Sequence, residues 1–220
     1  MQTFATPAPI TAVVSVPAGR IHVTAGHDTT TVEIRPADPA KSRDVKLAGQ
    51  TTAAYHDGTL HVTSPAANRF LGSSGAVEVT IQLPAGSDVQ ATAASAQLTT
   101  TGPLGEVTLD SAQATVTVQD AATARLVTVD GDIAVGRLGG DAEIRTARGD
   151  ITITETASGT LTLSTQTGKV TVGAAAGVSA TLDAGVTVGR IHNALRNADA
   201  TPALAIHATT TVGDITARSL

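Results

Sequence analysis

The stretch GDIAVGRLGGDAEIRTARGDITITETASGTLTLSTQTGKVTV, residues 131–172, decides the fold because it contains one short pattern three times. The pattern is Gly, any residue, Ile or Val, any residue, and a further aliphatic residue, and it begins at residues 131, 149 and 168. Copies with a weaker last position, GRIHN and GDITA, begin at residues 189 and 213. Because alternating aliphatic and polar residues are typical of strands with one buried face, each copy is predicted to be a short β-strand.

The central aliphatic residue of each copy recurs at a nearly constant interval. Two earlier segments without the glycine, SAQLT and AQATV, extend the series back to Leu98, and from Leu98 to Ile215 the successive intervals are 18, 17, 18, 19, 21 and 24 residues. A unit of this length holds two or three short strands and cannot bury its own apolar face. Stacked units bury it in a continuous narrow core, with parallel strands about 4.8 Å apart. The sequence therefore predicts a β-solenoid, or β-helix-like stack of short coils, over residues 91–220.

A second apolar pair, or its remnant, precedes each clear copy, which indicates a second strand in every repeat. The pairs are Val127 and Val129, Ile144 and Thr146, Leu161 and Leu163, Leu182 and Ala184, and Leu204 and Ile206.

The first ninety residues alternate in the same way but have no period. We expect them to form antiparallel strands that cover the N-terminal end of the solenoid, so that the chain divides into residues 1–90 and 91–220 or forms one continuous domain over 1–220. Helix signals are nearly absent, and the predicted class is all-β. The loop around Phe70 and Leu71 is predicted to fold back as a lid over an edge of the core.

The composition narrows the possible functions. Cysteine is absent, which excludes a disulfide framework and a cysteine-based zinc site. The 14 basic residues are outnumbered by 19 acidic ones and aromatic residues make up 1% of the chain, so no nucleic-acid partner is expected. No apolar stretch approaches the roughly 20 residues that span a bilayer, and the first thirty residues do not match a signal peptide. We therefore expect a cytoplasmic protein without a transmembrane segment.

The order and number of these motifs resemble a bacterial family known as putative adhesins, proteins of unknown function made of β-strand repeats. The matching segments are PAGRIHV (17–23), DGTLHV (57–62), AVEVTIQLPAGSDV (76–89) and the three Gly-Asp-Ile copies. The resemblance covers nearly the whole chain. It implies a β-solenoid-like fold without established catalytic residues.

Acidic residues near the repeat glycines are one candidate site. The residues after the five glycines are Asp132, Asp150, Lys169, Arg190 and Asp214, which would form a row along one corner of stacked coils. One interpretation is a cation site, with Ca²⁺ held by Asp132, Asp150 and the nearby Asp130. The other, which we favour, is a solvated row whose charges largely neutralise one another.

Two histidines are a second candidate site, because His22 and His61 occupy equivalent places in GRIHV and GTLHV. If their strands pair, the two rings could share a zinc ion with a further ligand such as His27, His56 or Asp57. Exposed strand histidines without a metal are the simpler interpretation and the one we favour.

The C-terminal segment GDITARSL ends the chain without a polar capping segment. An open edge strand exposes unpaired N–H and C=O groups that attract another strand. We therefore expect this C-terminal edge of the solenoid to pair with a second copy, giving a homo-oligomer, or to be shielded by a neighbouring loop.

Enzyme motifs are absent from the sequence, which lacks a Cys nucleophile, a G-x-S-x-G elbow and an H-E-x-x-H helix. We expect no catalytic residue and no cofactor, and favour a non-enzymatic binding or scaffold protein that acts on a protein partner or on itself. Two alternatives stay open. One is a polysaccharide-acting β-helix enzyme, which would need clustered carboxylates, and the other is a regulatory module for cell-envelope stress, by analogy with the family alone.

Overall fold

A computed structural model describes residues 1–65, 75–197 and 202–220. The chain is nearly all-β, with 69% in strands and 4% in a helix, and the sheet is not closed. The predicted all-β, solenoid-like class is therefore confirmed. The predicted lid, Phe70 and Leu71, lies outside the described residues.

Strands follow one another almost without interruption through the described residues. In chain order the elements are β1 (Gln2–Phe4), β2 (Thr11–Ala25), β3 (Thr30–Pro36), α1 (Ser42–Gln50), β4 (Thr52–His56), β5 (Thr59–Thr63), β6 (Val77–Leu83), β7 (Asp88–Asp130), β8 (Ile133–Leu138), β9 (Ala142–Arg145), β10 (Ile151–Thr156), β11 (Gly159–Thr167), β12 (Val170–Ala174), β13 (Ala180–Val188), β14 (Ile191–Ala194), β15 (Leu204–Val212) and β16 (Ile215–Ser219).

Two compact units divide the chain, Met1–Ala114 and Thr115–Leu220, and the long strand β7 contributes residues to both. The sequence-based division at residue 90 stays a prediction.

The first unit combines antiparallel and parallel pairs. β3 pairs antiparallel with β1 and β6, and β4 pairs antiparallel with β5. β2 lies parallel to β5, β6 and β7. The antiparallel strands expected in the first ninety residues are present, but the parallel pairs beside them were not predicted.

The helix α1 was also not predicted. It follows a turn in which Asp38 Oδ1 accepts a hydrogen bond from the Ala40 N–H at 3.0 Å. This bond and the neighbouring Lys41 ammonium lower the pKa of the Asp38 carboxyl. Only Leu47 and Asp44 are buried in the helix, so its nine residues leave too short an apolar stripe for helical periodicity to show in the sequence.

The second unit stacks parallel strands in two rows, and each repeat contributes one strand to each row. One row runs β7, β8, β10, β12, β16, β14, and the other runs β7, β9, β11, β15, β13. We call the two strands of one repeat a coil. Three coils recur below: the preceding coil (β11 and β12), the end coil (β13 and β14) and the C-terminal coil (β15 and β16).

The last coil in the sequence is not the last coil in the stack. β16 pairs with β12 on one side and β14 on the other, and β15 lies in the same way between β11 and β13. The C-terminal coil is therefore inserted between the preceding coil and the end coil. The prediction that residues 213–220 form a free edge is wrong, because β16 is hydrogen-bonded within the chain on both sides.

The aliphatic residues that define the repeat form a buried column. Ile133, Ile151, Val170 and Ile215 lie in register across four neighbouring strands and are each at most 1% exposed. Fully burying an Ile or Val side chain contributes about 1.5–3 kcal/mol. Stacking therefore stabilises coils that could not fold alone.

The other row of strands brings threonines into the core. The buried residues at this position are Thr128, Thr146, Thr165 and Thr210. The hydroxyls of Thr165 and Thr210 donate to the carbonyl oxygens of Gly149 and Gly168, each at 3.1 Å. Because their hydroxyls are satisfied in this way, threonines can occupy core positions.

One predicted inward pair, Val127 and Val129, has the wrong phase. Val129 is 54% exposed, whereas Leu126 and Thr128 are buried. The prediction chose the aliphatic residues of the segment, but the core position belongs to the threonine three residues before the repeat glycine.

Candidate functional site

The corner of each repeat carries a glycine in a backbone conformation that other residues rarely adopt. Gly149 has a φ of +143°, and a Cβ atom there would lie 2.1 Å from the carbonyl oxygen of Gly131. The corners of neighbouring coils thus approach too closely for any other side chain. The residue after the glycine lies beside this close contact.

Those following residues form a hydrogen-bonded row along the corner. Asp132 Oδ1 accepts from the Asp150 N–H at 2.8 Å, and Asp150 Oδ1 accepts from the Lys169 N–H at 2.7 Å. Further along, Asp214 Oδ1 accepts from the Arg190 N–H at 2.9 Å. In each of these three pairs a carboxylate accepts a hydrogen bond from a main-chain N–H.

The carboxylates considered for a cation are occupied by contacts within the protein. One oxygen of Asp132 and one of Asp150 accept these main-chain bonds, and Asp130 Oδ2 lies 3.2 Å from Arg148 Nη2. Over residues 1–65, 75–197 and 202–220, no group of three or more His, Asp or Glu side chains could hold a metal ion. The hydrogen bonds give Asp132 and Asp150 a structural role at the corner.

The two histidines considered for zinc lie on neighbouring strands, His22 on β2 and His61 on β5, but at different places along the pair. Their strands pair, but His61 lies opposite Val13, nine residues from His22. His22 lies opposite Thr80, and its Nε2 is 3.8 Å from Oε1 of Glu78. The register therefore does not place the two rings side by side.

A histidine for which the sequence indicates no partner does have one. His207 Nδ1 lies 3.3 Å from Asp183 Oδ2, because β15 pairs with β13 and places the two residues in register. The contact joins the C-terminal coil to the end coil. The sequence could not indicate it without the order of the coils.

The end coil exposes residues that are buried elsewhere in the stack. Ile191 occupies the position of Ile215, yet it is 44% exposed and Ile215 is 1% exposed. Val188 is 60% exposed at a position that faces outward in the C-terminal coil as well, where its register partner Val212 is 45% exposed. Val186 occupies the place of the buried Thr210. The stack therefore ends on aliphatic side chains rather than on a polar cap.

On one side the end coil has no ladder partner among the described strands, and there the Ala180 N–H at the start of β13 donates instead to the Arg196 carbonyl at 2.9 Å. Among the described strands, β13 pairs only with β15 and β14 only with β16. β13 is nine residues long and contains neither proline nor lysine, which commonly protect an edge strand. We call the uncovered side of β13 and β14 the open edge, and it is the candidate binding surface.

A separate open cleft of 460 Å³ lies in the first unit, among the turns that follow β1, β2 and β6. Among its described lining residues only His27 and Asp28 titrate. The cleft therefore lacks the paired carboxylates that glycoside hydrolysis normally requires.

Across the part of the chain that the structure describes, no helix is both long and apolar enough to cross a membrane.

Two rows of parallel strands around a narrow aliphatic core define an open β-solenoid, a class of repeat proteins. The chain belongs to the Toastrack DUF4097 family, whose model matches residues 19–219. This confirms the family resemblance predicted from the sequence. No curated protein matches the sequence.

Three solved bacterial structures match the chain at low sequence identity. A putative adhesin from Bacteroides fragilis has a TM-score of 0.56 and 13% identity, with 98% of this chain and 95% of that chain covered. A putative cell adhesion protein from Clostridium sporogenes has a TM-score of 0.35 and 12% identity, covering 100% and 98%. A putative adhesin from Parabacteroides distasonis has a TM-score of 0.39 and 13% identity, covering 98% and 95%. The Bacteroides fragilis structure supports the fold alone.

Proposed function

We propose that the protein is a non-enzymatic, adhesin-like binding module that binds other proteins through its open edge, and in the first place a second copy of itself. The observation that carries this proposal is the end coil, which exposes aliphatic residues beside a strand that has no second ladder partner among the described strands. Val188 and Ile191 are the most exposed of these aliphatic residues.

The addition of a strand at the open edge would combine two favourable contributions to the free energy of binding, main-chain hydrogen bonding and apolar burial. The outward N–H and C=O groups of β13 beyond Ala180, whose N–H is already bonded to the Arg196 carbonyl, would gain partners, and the aliphatic residues beside them would leave water. Covering apolar surface contributes roughly 25 cal/mol per Å² before the cost of association. A nine-residue strand provides both terms over one continuous surface.

A second copy is the partner that the edge favours most directly. Two open edges have the same length and the same apolar residues, and such self-complementarity is what a two-fold interface requires. A different protein with an exposed strand is the other possible partner. Enzymatic activity has no comparable group of residues to support it, and a cytoplasmic location stays a prediction from the sequence.

The test is self-association measured by analytical ultracentrifugation across a wide range of concentration. We expect the protein to form dimers or larger species, and Val188→Lys to shift the equilibrium toward monomer because it buries a charge at the interface. Val129→Lys is the matched control, since Val129 is similarly exposed, at 54% against 60%, but lies on β7 away from the end coil.

A protein that stays monomeric at every concentration contradicts self-association. Equal loss of association in Val129→Lys and Val188→Lys contradicts the open edge as its location. Circular dichroism of both variants checks that the fold is retained.

A further inference from the structure

The C-terminal coil is bound on both of its sides by main-chain hydrogen bonds. The Gly168 N–H donates to the Val212 carbonyl at 3.0 Å, while the Gly213 N–H donates to the Val188 carbonyl at 2.9 Å. Its inward residues Leu204, Ile206 and Ala208 are at most 1% exposed. The coil therefore fills a gap between the preceding coil and the end coil.

Side chains match the C-terminal coil to both walls of this gap. Toward the preceding coil, the Thr209 hydroxyl donates to Ser164 Oγ at 3.2 Å. Toward the end coil, the Arg196 N–H donates to Ser219 Oγ at 2.9 Å. These two side-chain hydrogen bonds add to the main-chain hydrogen bonds on either side of the coil.

The end coil is attached to the stack through the C-terminal coil. Its strands have no other ladder partners among the described strands. Removal of the C-terminal coil would therefore leave the preceding coil with a free edge, and the end coil would lose all of its strand pairing.

We propose that this gap is an acceptor site for residues 202–220 of a second copy, so that two chains can exchange their C-terminal coils. Every contact within the gap is the same whether the coil comes from its own chain or from the partner, so exchange loses only the free energy of association. The connection from Ala194 to Leu204 contains nine residues, which can span roughly 30 Å when extended. The proposal does not use the open edge and stands apart from the proposed function.

Engineered disulfides in the full chain test this exchange, because the protein contains no cysteine. In Ser164→Cys/Thr209→Cys the two sulfurs replace hydroxyls 3.2 Å apart, on opposite sides of the connection. In the control Thr152→Cys/Thr171→Cys the two residues are in register on β10 and β12, both before the connection. Each variant is unfolded in urea, refolded at low and high concentration, oxidised and run on a non-reducing gel.

We expect the first variant to give a covalent dimer whose yield rises with the refolding concentration, and the control to form its disulfide within one chain. The proposal is overturned if refolding gives only monomers with intrachain disulfides. It is also overturned if dimers form in which each chain has closed its disulfide between its own two cysteines. The second result would support contact at the open edge instead, so the two proposals fail separately.

Discussion

At the scale of single residues, the aspartates of the Gly-Asp-Ile pattern close the hydrogen bonding of the corner. Asp132 and Asp150 each accept the main-chain N–H of the equivalent residue in the next coil. The sequence indicated that the row exists and that its charges largely neutralise one another. It could not indicate that the partner is a main-chain N–H, because that depends on how closely the corners approach.

Substitution of Asp150 separates this role from cation binding. We expect Asp150→Ala to lower the free energy of unfolding by about 1 kcal/mol, because the Lys169 N–H loses its acceptor. Asp150→Asn, which keeps the acceptor and removes the charge, should stay within a few tenths of a kcal/mol of the parent. Urea denaturation followed by circular dichroism measures both.

The control for this prediction is calcium. Added Ca²⁺ should leave the melting temperature of the parent unchanged. A Ca²⁺-dependent rise that disappears in Asp150→Asn would instead support the cation site.

At the scale of the repeat, two residues define the corner of a coil. One is a buried threonine, and the other, three residues later, is a glycine with positive φ. The sequence predicted the strand after the glycine correctly, since alternation of aliphatic and polar residues is read directly. The strand before it was given the wrong phase at Val129 because the aliphatic Val127 and Val129 were chosen there in place of Thr128. A threonine fits this core position because a neighbouring carbonyl accepts a hydrogen bond from its hydroxyl. The alternation of aliphatic and polar residues does not reveal that carbonyl.

Gly149 provides the prediction at this scale. We expect Gly149→Ala to lower the free energy of unfolding by about 2–3 kcal/mol, since the new Cβ meets the Gly131 carbonyl oxygen of a backbone that cannot move aside. Gly177→Ala is the matched control, because Gly177 also has a positive φ, +79°, but no atom lies within 4 Å of its Cβ position.

Gly177→Ala should therefore show only the cost of the backbone conformation, about 1 kcal/mol. Chemical denaturation of the two variants side by side gives the difference. Equal destabilisation would mean that close contact between the corners is not what requires glycine.

At the scale of the whole molecule, the order of the coils is the feature that the sequence did not predict. Every repeat carries similar apolar residues, so stacking alone does not distinguish one order from another. If the coils were stacked in sequence order, Arg190 would follow Lys169 in the corner row and Asp214 would follow Arg190. The N–H groups of Arg190 and Asp214 would then face the basic side chains of Lys169 and Arg190, which cannot accept a hydrogen bond. In the observed order Asp214 accepts from Arg190.

This order also decides where the open edge lies. It places the end coil, rather than residues 213–220, at the end of the stack, and it brings Asp183 beside His207. Both proposals, binding at the open edge and exchange of the C-terminal coil, depend on it. The sequence predicted that an edge would be available, but it assigned the edge to the wrong coil.

The most direct measurement of this order compares two cysteine pairs in the native, never-unfolded protein. Thr171 and Thr216 lie in register on adjacent strands, whereas His192 is in register with Thr216 on its far side. We predict that Thr171→Cys/Thr216→Cys forms a disulfide rapidly under mild oxidation and that Thr171→Cys/His192→Cys does not. Rapid closure of the second pair and failure of the first would mean that the coils stack in sequence order and would contradict this account.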